Sequence, residues 1–173
     1  MRAETFLLEL NDIIQSGQAI EVPLGSNRGP LIDKILKTAG AALGSPWCAS
    51  YLFYGAMETG LYKKSELPKN PAAVYQWYRF FDDRNLVTSD VRKVKRGDLG
   101  FWLDSKTKKG HIWAIVELKK VPIVSALFPK LGWWMRTQEG NANSEDGSRE
   151  GIKALKKWRQ VTAKTKFILF SEY

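Results

Sequence analysis

The chain is poor in the residues that usually carry covalent or metal chemistry: 173 residues hold a single cysteine, Cys48, and a single histidine, His111. One cysteine excludes an internal disulfide framework, and one cysteine with one histidine are too few for a structural zinc site, so no metal or cofactor is expected. No stretch approaches the roughly 20 consecutive apolar residues that a membrane helix needs. The N-terminus, Met1-Arg2-Ala3-Glu4, lacks a basic region followed by an apolar segment and a cleavage site. The expectation is cytoplasmic synthesis without a signal peptide, and no membrane partner. Repeats, low-complexity stretches and Pro/Gly/Ser-rich linkers are absent too, so one domain over residues 1–173 is expected.

What is present is a core and a charge. The chain is 44% hydrophobic, enough to bury one core, and carries a formal net charge of +9. That balance implies an anionic partner or place of work, for which nucleic acid, acidic lipid and bacterial cell wall all qualify. The positive residues are dispersed in small groups, among them Arg92-Lys93-Val94-Lys95-Arg96, Lys106-Thr107-Lys108-Lys109 and Lys156-Lys157-Trp158-Arg159, each read as a solvated face.

The first half reads as helical. Phe6, Leu10, Ile13 and Ile14 recur at helical spacing and stop at Gly17. Pro30 suits the first position of a second helix carrying Leu31, Ile32, Ile35, Leu36 and Ala39 before Gly40. A third helix is expected from about Trp47 to Thr59, and a shorter fourth after Asn70-Pro71, with Asn70 as its N-cap. The second half changes to short apolar or alternating runs: 99–103, 112–118, 133–139, 152–158 and 167–170 are strand candidates. Helices first and strands second predict an α+β fold, with N-terminal helices packed against a C-terminal antiparallel sheet.

Cys48 lies in Gly44-Ser45-Pro46-Trp47-Cys48-Ala49, a turn that opens into the third helix. A cysteine in a first helical turn gains from the partial positive charge of unpaired N–H groups, which favours thiolate over thiol. The competing reading is a small buried hydrophobe. Trp47 beside it is either core or the lining of a substrate groove, and is the candidate substrate-binding residue. His111 follows a glycine and opens a strand, where an imidazole can reach a helix terminus and act as general base, then general acid. A third group usually orients such a histidine. Glu117 shares the strand face but lies roughly 20 Å away at about 3.3 Å per residue, too far to help. Glu139-Gly140-Asn141 is a better source: Glu139 and Asn141, two apart, project the same way if the strand persists that far. Either accepts a bond from the imidazole, or Asn141 helps hold the substrate.

With these residues in view, the chain resembles the CHAP family, the cysteine- and histidine-dependent amidohydrolases and peptidases that cut bacterial peptidoglycan. The resemblance spans about residues 25–159 and is carried in order by Asn27-Arg28-Gly29-Pro30, Gly44-Ser45-Pro46-Trp47-Cys48-Ala49, Arg96-Gly97-Asp98-Leu99-Gly100-Phe101-Trp102, Gly110-His111-Ile112 and Glu139-Gly140-Asn141-Ala142-Asn143. It implies a papain-like arrangement in which Cys48 is the nucleophile, His111 the base and acid, and Glu139 with Asn141 the orienting polar groups. Asp98 matches a position read as structural.

Some family members bind calcium through acidic residues around the nucleophile; residues 38–50 hold no Asp or Glu, so no calcium site is expected there. Residues 119–131 are longer and more apolar than a strand connection needs, and are expected to form an extra hairpin, with a partner-binding or gating loop as the alternative. No separate wall-binding domain is expected.

The implied activity is hydrolysis of an amide bond in peptidoglycan, as an endopeptidase or an N-acetylmuramoyl-L-alanine amidase. The implied setting is that of a phage lysis enzyme or of an antibacterial effector delivered to a rival's wall. Peptidoglycan is the expected partner and nucleic acid is not; the protein is expected to be a monomer, and an effector would add an inhibitory partner. The alternative is a non-catalytic module on the same fold that binds cell wall or nucleic acid.

Overall fold

The computed structural model describes residues 2–121, 132–143 and 151–173. Helices α1 (Arg2–Gln15), α2 (Pro30–Thr38), α3 (Cys48–Glu58) and α4 (Val74–Asp82) come first. Strands β1 (Val87–Thr88), β2 (Leu99–Leu103), β3 (Gly110–Lys120), β4 (Trp133–Ala142), β5 (Lys153–Gln160) and β6 (Lys166–Ile168) follow. All strand pairs are antiparallel and the sheet order is β1-β6-β2-β3-β4-β5. The fold is α+β, with N-terminal helices and C-terminal strands. Among the described residues no helix is long and apolar enough to cross a membrane.

Helix α1 buries Phe6, Leu7, Leu10 and Ile13, the stripe expected of a helix with one face on a core. Helix α2 starts at Pro30, where the missing N–H costs nothing. Helix α3 is different: every residue from Cys48 to Ala56 is buried. A helix apolar all round belongs inside, and α3 packs between α1, α2 and strands β3 and β4.

The sheet is covered on both faces. Leu99, Phe101, Ile112 and Ala114 join the main core beneath the helices. Their alternates Trp113, Ile115, Met135 and Phe167 form a second cluster with Val91, Val94 and Val161. Burial on both faces explains why residues 112–116 read as a continuous apolar run rather than an alternating one. Asp98, fully buried, ties the turn before β2 to the C-terminus: its carboxylate accepts the Lys95 N–H at 2.7 Å and the Ser171 N–H at 2.8 Å.

One expectation needs correction. Helix α4 begins at Val74, after the N-cap Ala73, and Asn70 does not cap it. The Asn70-Pro71 turn is instead closed from within, the Trp77 indole donating to the Pro71 carbonyl at 2.7 Å. Strand β1, two residues long, shows no period in the sequence and exists because β6 offers it a ladder, Val87 opposite Ile168 and Thr88 opposite Phe167. Of the segment expected to form an extra hairpin, Lys119 and Lys120 end β3, whereas positions 122–131 lie outside the described residues.

Candidate active site

Cys48 is the first residue of α3, after the N-cap Trp47. The first bond of the helix ladder runs from the Tyr51 N–H to the Trp47 carbonyl at 2.9 Å, so the N–H groups before it have no partner within the helix. The sulfur is nearly enclosed, with Cys48 6% exposed. The His111 side chain and the backbone N–H groups of Ile112 and Ala49 lie near enough to act on its ionisation. Burial pushes the thiol up, but the His111 charge and hydrogen bond and these two N–H groups outweigh it, and the thiol ionises below its ordinary value.

His111 opens β3 opposite Trp102 of β2. Its Nε2 lies 2.9 Å from Glu139 Oε2, which leaves Nδ1 for the thiol. An ionised carboxylate only accepts hydrogen bonds, so Nε2 carries a proton. Burial pulls the imidazole down, but the Cys48 thiolate and then Glu139 raise it to about 9. Each member of the Cys48–His111 pair therefore stabilises the charged form of the other.

Glu139, on β4, is fully buried. The Arg159 guanidinium from β5 grips it with both arms, Nε to Oε1 at 2.5 Å and Nη2 to Oε2 at 2.6 Å, and the Thr137 hydroxyl donates to Oε1 at 2.5 Å. Burial alone would push this carboxyl up; Arg159 first and His111 second bring it down to about 2. Arg159 in turn lies over the Trp113 ring, 4.8 Å from Cζ to centroid, and that ring neighbours His111 at 5.7 Å between centroids.

The structure thus brings Cys48, His111 and Glu139 together, and separates Asn141 from them. Residues two apart share a face only while the ladder is unbroken, and the β4–β5 register shifts between Glu139 and Ala142. Asn141 sits in the left-handed region at φ 51°. With its amide oriented to suit its neighbours, Nδ2 donates to the Gly151 carbonyl at 2.6 Å and Oδ1 accepts the Trp47 N–H at 3.2 Å. Asn141 therefore holds the N-cap of α3 and does not orient the imidazole. Gly140 between them faces α3, where a Cβ would stand 2.5 Å from Tyr51 Cβ and 2.9 Å from Trp47 Cζ3.

The expectation that Trp47 lines a substrate groove is also overturned. Trp47 is fully buried, and its indole donates to Glu21 Oε1 at 3.0 Å, while Oε2 of that buried carboxylate accepts the Asn27 N–H at 3.0 Å. Trp47 anchors the nucleophile turn. The aromatic residue that the β2–β3 register sets beside His111 is Trp102, 42% exposed.

Sequence reading missed Arg159, Thr137, Glu21 and Trp102. Arg159 stood in a basic group that looks like a solvated face, and only the β4–β5 pairing aims it at Glu139. Trp102 was findable, since an Asp104–Lys109 hairpin turn puts it opposite His111. Among the described residues no group of three or more His, Cys, Asp or Glu is placed to hold a metal ion.

The site is a thiol at a helix N-terminus, an imidazole in contact with it, and a buried carboxylate behind the imidazole. No protein-family model, curated protein or solved structure matches the chain.

Proposed function

We propose that the chain is a cysteine peptidase or amidase of the CHAP type, hydrolysing an amide bond in bacterial peptidoglycan. The observation that carries this reading is the Cys48–His111–Glu139 relay, in which a lowered thiol, a raised imidazole and an ionised carboxylate touch in sequence. Buried structural cysteines are inert and carry no such partners. The substrate class rests on the motif resemblance and on the net charge of +9, which favours adsorption to an anionic wall.

In this reading the Cys48 thiolate attacks the carbonyl carbon, and the oxyanion that forms is held by unpaired N–H groups of the first turn of α3. The tetrahedral intermediate collapses as His111 gives its Nδ1 proton to the departing amine, leaving a thioester on Cys48. Water then adds to the thioester carbonyl, losing a proton to Nδ1, and Cys48 leaves as thiolate while the acid product departs. Glu139 keeps the Nε2 proton throughout and so holds the tautomer that presents Nδ1 to the reaction. Trp102, exposed beside His111, offers a stacking face to a sugar ring.

Purified sacculi provide the test: the protein releases muropeptides detectable by mass spectrometry, and Cys48→Ala releases none. Persistence of cleavage in Cys48→Ala overturns the mechanism. The fragments released identify the bond.

A further inference from the structure

We propose that Arg159 is a positioning residue which keeps Glu139 ionised as an acceptor for His111, and thereby sets the acid limit of the Cys48 reaction; this rests on the hydrolase reading above.

The argument begins with the cost of a buried charge. A carboxylate removed from water and left unpaired takes up a proton rather than remain ionised. A protonated Glu139 would be damaging in a specific way. Its O–H would donate to His111 Nε2, so that Nε2 becomes the acceptor and the ring proton moves to Nδ1, pointing at the thiol. An imidazole in that tautomer cannot take the proton of Cys48. Orientation would survive and function would not.

The groups around Glu139 show what prevents this. From β3 comes His111, raised to about 9 and so a cation in the resting pair, but one that gives up its charge in each turnover, and from β4 comes the neutral Thr137 hydroxyl. From α3, the Tyr51 phenol feels the Glu139 charge but donates its hydrogen to the Leu10 carbonyl at 2.8 Å, and Cys48 stands beyond the imidazole. From β5, Lys157 spends its ammonium on the Asn143 carbonyl at 3.0 Å. Among the described residues, Arg159 is the permanent cation in contact with the carboxylate, and it binds both oxygens. A guanidinium cannot lose its proton at any working pH, and its fork matches a carboxylate in a way a lysine does not. The Trp113 ring under the guanidinium restrains it in that geometry.

The experiment measures the pH dependence of Cys48 alkylation by iodoacetamide, and of muropeptide release, in wild type, Arg159→Gln and Arg159→Lys. Circular dichroism of each variant checks the fold, and Arg159→Lys keeps a cation for the case in which Arg159→Gln does not fold. A carboxylate beside an arginine is lowered by about one to three pH units, so loss of the guanidinium should move the acid limb of both profiles upward by about that much, less in Arg159→Lys. Turnover near pH 4 should fall by up to about 10-fold with KM unchanged, while turnover at neutral pH is largely kept. A merely structural role would lower the yield of folded protein and leave the acid limb in place. Superimposable acid limbs in folded variants overturn the proposal. A shifted alkylation limb with no muropeptide release from wild type supports the role of Arg159 and overturns the hydrolase reading instead.

Discussion

Replacing Gly140 by alanine tests how the nucleophile is held, independently of any substrate. Gly140 does not have a positive φ, so the backbone accepts alanine and the whole effect is one of packing. The added Cβ would lie 2.5 Å from Tyr51 Cβ, 2.6 Å from Tyr51 Cγ and 2.9 Å from Trp47 Cζ3. Carbon atoms rest at about 3.5–4.0 Å, so the deficit is about 1 Å. Neither ring can swing away: both are fully buried and packed edge-on at 6.3 Å, and each is pinned by a hydrogen bond, Tyr51 to Leu10 and Trp47 to Glu21. Strain must therefore be relieved by lifting the start of α3 off the sheet. Overpacking of this kind costs about 1–3 kcal/mol, and two immovable neighbours place Gly140→Ala near the upper end. Because Cys48 follows Trp47 directly while His111 stays on the sheet, the same shift lengthens the thiol–imidazole contact. A displacement of about 1 Å can cost on the order of 100-fold in rate. Urea denaturation and the iodoacetamide rate of the folded protein at neutral pH are the measurements. A variant within about 0.5 kcal/mol of wild type and with an unchanged alkylation rate would refute the idea that Gly140 is what lets α3 meet the sheet.

Other consequences are simpler. Trp47→Phe keeps most of the ring but leaves Glu21 Oε1 without its indole donor; a lost partner of a buried acceptor should cost about 1–3 kcal/mol in urea denaturation, and a cost near zero would mean that Trp47 acts by volume alone. Glu139 is depressed to about 2 from an ordinary 4.5, so it contributes stability above about pH 4.5 that is lost as pH falls towards 2. Glu139→Gln, although less stable overall because it strands Arg159, should show a flatter decline of the urea midpoint across that window; parallel curves for the two proteins would contradict the assignment.

Several features were legible without coordinates because they are local. The α+β order follows from a change of period between the two halves, which each segment declares in its own side chains. Cys48 at a turn-to-helix boundary and His111 at the start of an apolar strand follow from glycine, proline and the runs beside them. The candidacy of Glu139 was legible as well, but only as one of two. What separated it from Asn141 was a register shift between β4 and β5 together with a left-handed residue, and a ladder's register is decided by the partner strand. The same holds for Arg159, whose basic neighbours hide it until β5 is laid beside β4, and for Trp47, whose burial depends on Glu21 approaching from a segment 26 residues earlier. Sequence alone therefore determined which residues stand at the boundaries where chemistry can be placed. Tertiary structure decided which polar groups meet in the dry interior behind them, because those meetings join segments far apart in the chain and no local pattern records them.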